Sequence, residues 1–385
     1  MQSSAEVVVI GGGVNGVAIA YELAKRGCTD VCVLERDYLA SGATGRCGAG
    51  VRQQWGTEMN LRMSIASVKK FETMNEDLEY EGDIEFKQGG YLLLAYTPAG
   101  WAQFQKNVSL QRSFGLGVRL CTPEEAREIV PHLNTEGLLG ATFNQTDGHC
   151  NPFHVTDAYA EAARRLGVKI YTNTEVLEIS RGKAGEGRIE GVKTTRGYIA
   201  TPVVVNAAGG WSKSIAAMAG VDIPTYSERH QILVTEPVAP MQGPMVMSFH
   251  HHIYCQQTPH GSFIMGLGDA TEQPGYSSRS TWQFVEEMAQ KITWLLPPLK
   301  GIRVVRQWAG LYNMTPDRTP ILGAGAEVPG FFMAVGFSGH GFMLAPMTGV
   351  LLAESILGLP ASLPIEKMDL GRFARGELFD EPSVV

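Results

Sequence analysis

The apolar positions near the start of the chain change character twice within thirty residues. The unbroken run Val7–Ile10 passes through Gly11-Gly12-Gly13 into the alanine-rich stretch Val14–Arg26, and then into the second short apolar run Val31–Glu35. Short continuous apolar runs read as strands buried on both faces, and the longer stretch between them as a packed helix. The pattern predicts a βαβ unit: strand Glu6–Ile10, helix Val14–Arg26, strand Val31–Glu35.

Further along, Ser41–Gly50 (SGATGRCGAG) reads as a glycine-rich loop, Glu58–Glu72 as a helix, and GGYLLLAY from Gly89 as a strand. Thr122-Pro123-Glu124-Glu125 carries Thr at N-cap, Pro at N1 and Glu at N3, which starts a helix through Ile129. After Asn151-Pro152 the amphipathic stretch Phe153–Leu166 predicts a helix, more as core than as a partner surface. Strands Val168–Tyr171 and Glu175–Ser180 follow, then a hairpin over Gly187–Lys193 and Gly197–Ala200, and a buried strand Val203–Val205 ending in NAAGG. The 225–310 stretch is richer in β-type residues, with one helix near Thr281–Leu295 stopped by Pro297-Pro298. Near the C-terminus, strand Phe331–Gly336, a glycine turn and helix Leu344–Leu357 repeat the opening theme. The expected fold is α/β with two domains: a Rossmann-type nucleotide layer from 1–85, 145–225 and 310–385, and a mainly antiparallel unit from 86–144 and 226–309.

Composition narrows the function. With 32 basic against 39 acidic residues and a net charge of −7, the chain lacks the basic excess that holds a phosphate backbone, so nucleic acid is not an expected partner. No apolar run approaches the ~20 residues of a transmembrane helix. The six cysteines are scattered, against a disulfide framework or zinc site; Cys28 and Cys32 read as packing residues. No signal-peptide pattern precedes Val7, and the expected location is the cytoplasm. His250-His251-His252 is read on a strand, where neighbours point to opposite faces, and no metal site is expected.

The chemistry starts at Gly11-x-Gly13-x-x-Gly16, which follows a strand and opens a helix. Its glycines permit a tight turn, close approach of backbone to a pyrophosphate, and helix–strand packing, with the helix N–H groups facing the anion. Glu35, ending the second strand, is placed to hold a ribose diol. These residues specify a dinucleotide without separating NAD from FAD.

Five segments carry a resemblance that does separate them: VVVIGGGVNGVAIAYELAKRG (7–27), SGATGRCGAGVRQQWG (41–56), VVVNAAGGWS (203–212), WAGLYNMTPDRTPILG (308–323) and GFFMAVGFSGHGFMLAP (330–346). In these the chain resembles the sarcosine oxidase/D-amino-acid oxidase family of FAD amine oxidoreductases, particularly the β subunits of sarcosine oxidase and of dye-linked L-proline dehydrogenase. The resemblance implies a glutathione-reductase-type FAD domain roofed by a substrate domain. Val14 and Asn15 would join the glycines at the pyrophosphate, and Ser41, Ala43 and Thr44 would lie along pyrophosphate and ribityl chain. Gly48, Ala49, Gly50 and Val51 would pass beside the flavin, and Val176 would meet the adenine. Ala207, Ala208 and Gly209 would close the second crossing. Gly339-His340-Gly341 would start a helix facing the flavin N1–C2=O edge. Arg36, Trp211, Gly310, Gly336, Ser338 and Met343 complete the implied cofactor set.

For the substrate, the resemblance implies Arg52 as the carboxylate holder, with Arg46 a less suited substitute. Met343 stands where sarcosine oxidases carry a second, lysine contact. Tyr254 and Tyr312 would line the substrate cavity, and His340 would be a local hydrogen-bond donor or catalytic group. Ala309–Tyr312 lacks the cysteine that tethers flavin in monomeric relatives, so the FAD is expected to be non-covalent. Pro152 replaces a histidine that tethers FMN, so any FMN is non-covalent or absent. Ser262–Gly266 contains no oxygen-activating lysine, which favours a dehydrogenase over an oxidase. The expected activity is oxidation of a small amino acid, first a secondary amine such as L-proline or sarcosine, with a quinone, a dye-like acceptor or oxygen as electron acceptor. Alternatives are glycine or another primary amino acid, a 2-hydroxy acid, a flavin-carrying subunit active only with an α partner, or a silent FAD-binding protein.

Overall fold

A computed structural model describes residues 1–182, 187–269, 271–325, 327–379 and 381. Its central sheet has six strands in the order Ile321–Ala324, Phe331–Val335, Val203–Asn206, Val7–Ile10, Val31–Leu34 and Lys169–Tyr171. All neighbours are parallel except the first pair. Val7 pairs with Val31 on one side and Val203 on the other, and all four residues of Val7–Ile10 are buried. That explains the absence of alternation: a strand covered on both faces has no solvent side on which to place polar residues.

One face is covered by helices Val14–Lys25, Pro152–Arg165 and Gly341–Leu357. The first and last approach closely, because a side chain at Gly349 would meet the Ala18 carbonyl at 2.8 Å. The other face carries a three-stranded antiparallel sheet, Val176–Arg181, Ile189–Thr194 and Gly197–Ala200, with the short helix Ser212–Met218. A Rossmann-type layer between helices and a small β-meander is the expected α/β architecture.

A second sheet of eight strands runs in the order Val304–Met314, Tyr226–Thr235, Phe263–Leu267, Ile253–Gln257, Met245–Ser248, Tyr91–Ala95, Gly140–Asn144 and Arg119–Cys121. It is antiparallel apart from the pairing of Met245–Ser248 with Tyr91–Ala95. Period-two geometry splits Tyr91–Ala95 between two cores. Leu92 and Leu94 pack with the helix Trp282–Leu295, whereas Tyr91, Leu93 and Ala95 share the opposite face with Ile232, Met245 and Tyr254.

Several boundaries differ from expectation. The C-terminal helix begins at Gly341, as the resemblance implies, and not at the Leu344 read from the apolar pattern: glycine has poor helix propensity, and packing against the first helix overrides it. The helix Pro98–Ser113 was not expected, although Thr97, whose hydroxyl accepts from Gly100 N at 3.1 Å, and Pro98 form a start signal. The three histidines occupy the turn between Met245–Ser248 and Ile253–Gln257 instead of a strand, with His251 edged against Tyr96 and Trp294. The division expected at 309/310 falls inside the strand Val304–Met314, which runs from the edge of the large sheet into the neighbourhood of the nucleotide layer. Among the described residues, no helix is long and apolar enough to cross a membrane.

Candidate active site

The carboxyl ends of the central parallel strands deliver glycine and small residues to one place. Gly11 follows the first strand, Glu35 the second, Ala207 that of Val203–Asn206 and Gly336 that of Phe331–Val335. A cleft of about 1420 Å³, measured out to its solvent mouth, runs past these strand ends. Gly11 has φ 117° and sits against the Ala207 carbonyl, so a side chain there is excluded twice.

At one end Glu35 is already oriented. Its Oε2 accepts from Gly12 N at 2.8 Å, and its Oε1 from Asp37 N at 2.9 Å and the Ser41 hydroxyl at 3.3 Å. The helix Val14–Lys25 has Gly13 at its N-cap, no side-chain cap and no acidic residue in its first turn, which leaves its positive end to the cleft. The Thr44 hydroxyl accepts from Val14 N at 3.1 Å and ties the loop to that helix start. Arg36 lies over the Trp211 ring at 3.7 Å.

At the other end, the helix Gly341–Leu357 also lacks a side-chain cap and an acidic first turn. Asn15 Nδ2 donates to the Gly341 carbonyl at 3.1 Å and joins the two helix starts, while its buried Oδ1 has no hydrogen-bond partner among the described residues. Gly339, at φ 90°, lies where a Cβ would come within 2.5 Å of the Tyr312 ring. Two positive helix ends, an oriented carboxylate and glycine-backed walls form a donor set that fits a flavin dinucleotide.

Of the residues implied by sequence, Gly11, Gly13, Val14, Asn15, Glu35 and Arg36 line the cleft, as do Ser41, Ala43, Thr44, Val176 and Ala207. Ala208, Gly209, Trp211, Tyr312, Ser338, Gly339 and Gly341 complete this group. The others stand outside the lining, each for a packing reason. A Cβ at Gly16 would collide with the Gly11 carbonyl, one at Gly336 with Thr315, and one at Gly310 would meet Arg46 Cβ at 3.1 Å. Gly48 packs under the Tyr254 ring and Gly50 against the Tyr91 hydroxyl, while Ala49 and Val51 are buried in the core beside the C-terminal helix. Met343 packs against that same core. For these glycines the missing side chain is demanded by protein atoms, which a one-dimensional motif does not distinguish from demand by a ligand.

On the substrate side, Arg52 is buried, with its guanidinium 4.0 Å above the Trp55 ring and Nη1 donating to the Gln54 carbonyl at 2.9 Å. Burial lowers its pKa from the usual arginine value, while the fields of Tyr91, Glu381, Asp147 and Tyr312 act in the opposite direction. Arg46 is engaged elsewhere, donating to the Ser41 and Ala309 carbonyls. His340 is buried against Trp55 at 4.8 Å, and among the described residues neither ring nitrogen meets a partner in good hydrogen-bond geometry. Burial first, then the charge of Arg52, pushes its pKa down to about 3, so the ring is neutral near pH 7.

Tyr254 and Tyr312 are brought together through a residue that sequence reasoning missed. The His230 ring lies parallel between them, 5.7 Å from Tyr254 and 4.3 Å from Tyr312, with an interplanar angle of 6° to each. Burial lowers its pKa to about 4, and Nε2 is buried with no hydrogen-bond partner among the described residues. A histidine in a buried strand has no spacing signature; only the register of Tyr226–Thr235 with Val304–Met314 and Phe263–Leu267, and of Phe263–Leu267 with Ile253–Gln257, aligns the three rings. Cys47, also missed, lines the cleft, and burial pushes its thiol up to about 12, so it remains protonated. Among the described residues no group of three or more His, Cys, Asp or Glu is arranged to hold a metal ion.

Comparison with known proteins accords with this geometry. The profile of the family "FAD dependent oxidoreductase" matches residues 6–355. The chain is 33% identical over 386 aligned positions to the sarcosine oxidase subunit beta of Arthrobacter sp, covering 99% of this chain and 94% of that protein. Among solved structures it is similar to L-proline dehydrogenase from P. horikoshii, with 42% identity, a TM-score of 0.92 and coverage of 98% of this chain and 100% of that one. It is also similar to glycine oxidase from Geobacillus kaustophilus, with 26% identity, a TM-score of 0.88 and coverage of 96% and 99%. A cleft with two helix starts and an oriented carboxylate, in a chain matched along nearly its whole length, places this protein in the family of FAD-dependent oxidoreductases.

Proposed function

We propose that this enzyme oxidises a small α-amino acid, first a secondary amine such as L-proline or sarcosine, with non-covalently held FAD. The observation that carries the reading is the buried guanidinium of Arg52, in the field of Tyr312, a residue of the cleft wall. A buried guanidinium matches the planar geometry of a substrate carboxylate. Bound FAD supplies a two-electron acceptor, and the chemistry converts the amine C–H and N–H to an imine that water hydrolyses.

The chain's own contribution is binding and orientation. Arg52 holds the carboxylate, the Tyr254–His230–Tyr312 stack walls the amine side, and His230, neutral near pH 7, accepts an amine hydrogen bond at Nε2. Met343, in place of a second cation, leaves the carboxylate with one anchor. The strand Phe263–Leu267 carries no lysine, which supports an acceptor other than oxygen, such as a quinone or dye. The names of the relatives support the amino-acid class: sarcosine oxidase, L-proline dehydrogenase and glycine oxidase all act on small amino acids. We further assign 1–85, 145–225 and 310–385 to FAD and 86–144 with 226–309 to the substrate side. The unbridged cysteines support a reducing, cytoplasmic setting.

The test is the visible spectrum of the purified protein followed by anaerobic titration with L-proline, sarcosine and glycine. Bleaching of the flavin by the secondary amines ahead of glycine supports the reading; bleaching by none of them rejects it. A second reading, a flavin-bearing subunit that needs an α partner, is favoured by the "subunit beta" names of the relatives. It predicts that turnover appears only after co-purification with a second chain.

A further inference from the structure

Arg52 lies in a stretch without regular structure. The two-residue strand Gly50–Val51 ends just before it, and residues 52–55 are neither helix nor strand. Among the described residues its ladder partner is Gly148–His149, in the register Gly50↔His149 and Val51↔Gly148. So short a ladder does not fix a long side chain four bonds from the backbone. The residues that continue it must do so.

Asp147 stands immediately before Gly148 and carries that continuation. It has no exposed surface, and its carboxylate accepts four hydrogen bonds from the segment around it. Oδ1 accepts from Gln53 N at 2.8 Å, Gln53 Nε2 at 3.2 Å and Asn144 Nδ2 at 2.7 Å, and Oδ2 accepts from Gln54 Nε2 at 2.9 Å. Gln54 in turn reaches the large sheet, with Nε2 donating to the Tyr91 carbonyl at 3.1 Å and Oε1 accepting from the Thr142 hydroxyl at 2.7 Å. Its carbonyl is the one that receives Arg52 Nη1. The backbone of Asp147 is held as well, since Gly90 N donates to its carbonyl at 2.9 Å.

We propose that Asp147 is the positioning residue of the substrate-carboxylate site, an acceptor-only anchor that fixes the Gln53-Gln54 segment and through it the guanidinium of Arg52. A carboxylate is the side chain that accepts from four donors at once; a carboxamide offers one acceptor oxygen and presents its own N–H to Gln54 Nε2. The Gln54 amide would then flip and exchange its bonds to Tyr91 and Thr142. Burial pushes the Asp147 carboxyl up to about 6 while the four donors pull it down, so the anchor is ionised near pH 7. The proposal rests on Arg52 being the carboxylate holder.

The test uses FAD-loaded protein titrated with pyrrole-2-carboxylate and with its neutral counterpart pyrrole-2-carboxamide, read as perturbation of the flavin spectrum. Asp147→Asn should raise the dissociation constant of the carboxylate roughly 10- to 100-fold, the loss of one charge-assisted contact, and that of the carboxamide less than threefold, with FAD content as in the parent. A merely structural role would move both ligands together. Should Asp147→Asn not fold, Gln54→Met keeps the volume, removes the same tie and should show the same selective loss. Carboxylate affinity within threefold of the parent in a folded variant, or equal losses for both ligands, overturns the proposal. Arg52→Ala separates the two ideas: if it abolishes the preference for carboxylate over carboxamide while Asp147→Asn does not, the Arg52 reading stands and the Asp147 proposal falls. If Arg52→Ala preserves that preference, both fall.

Discussion

Replacing Glu35 by alanine tests the nucleotide end of the cleft in a form that can be worked from the hydrogen bonds. An ionised carboxylate offers about four acceptor positions, and three are occupied by Gly12 N, Asp37 N and the Ser41 hydroxyl. One remains for a ribose hydroxyl, and a hydrogen bond to a charged group contributes roughly 1.5–3 kcal/mol. At 1.4 kcal/mol per tenfold change, Glu35→Ala should weaken FAD and ADP by roughly 10- to 150-fold. The buried Gly12 N–H also loses its acceptor, a cost of roughly 1–3 kcal/mol that falls on the fold and not on the ligand. Ligand analogues separate the two. ADP, 2′-deoxy-ADP and 3′-deoxy-ADP are titrated calorimetrically into apoprotein. The parent should discriminate against at least one deoxy analogue by about tenfold or more, and Glu35→Ala should bind all three alike. A variant that keeps the parent's deoxy penalties would show that Glu35 does not touch the ribose, whatever its effect on stability.

Further outcomes follow from the same geometry. Arg52→Ala should raise KM for the amino acid by roughly one to two orders of magnitude with FAD content unchanged; steady-state kinetics showing an unaltered KM would remove Arg52 from the site. Burial holds His149 and His230 down to about 4 and His340 down to about 3. Their folded values lie below the unfolded one, so the stability they contribute is present above about pH 6.5 and lost as pH falls toward 4, roughly 3 kcal/mol per histidine. Asp147, raised to about 6, acts in the opposite sense, its contribution being lost as pH rises through 6, but it is one group against three. Urea midpoints should therefore fall between pH 6.5 and 4.5 and fall less steeply in His149→Phe; flat midpoints would contradict the assignment. Gly339→Ala combines a φ of 90° with a Cβ 2.5 Å from the Tyr312 ring. It should cost roughly 1–3 kcal/mol and loosen FAD, and thermal melts and FAD content equal to the parent would count against it.

The nucleotide layer was legible because its signals are local. Val7–Ile10 is apolar throughout as a strand covered on both faces must be, Gly11 must adopt positive φ, and Thr122 and Glu125 form the capping box that their spacing implies. Each depends on atoms a few residues apart, so sequence determined it: the βαβ start, the glycine turn, Glu35 at its strand end and the repeat of the theme near the C-terminus. The substrate side was decided by tertiary structure. His230 comes between Tyr254 and Tyr312 only through the register of four strands, and Asp147 reaches the Arg52 segment across more than ninety residues of chain. Gly48, Gly50, Gly310 and Gly336 face protein atoms that only the folded chain brings near. The physical reason is range: backbone conformation and burial of a strand are written within a few residues, whereas ring stacking, a buried carboxylate's donors and the occupant of a glycine's empty side are set by segments that meet only after both sheets have formed.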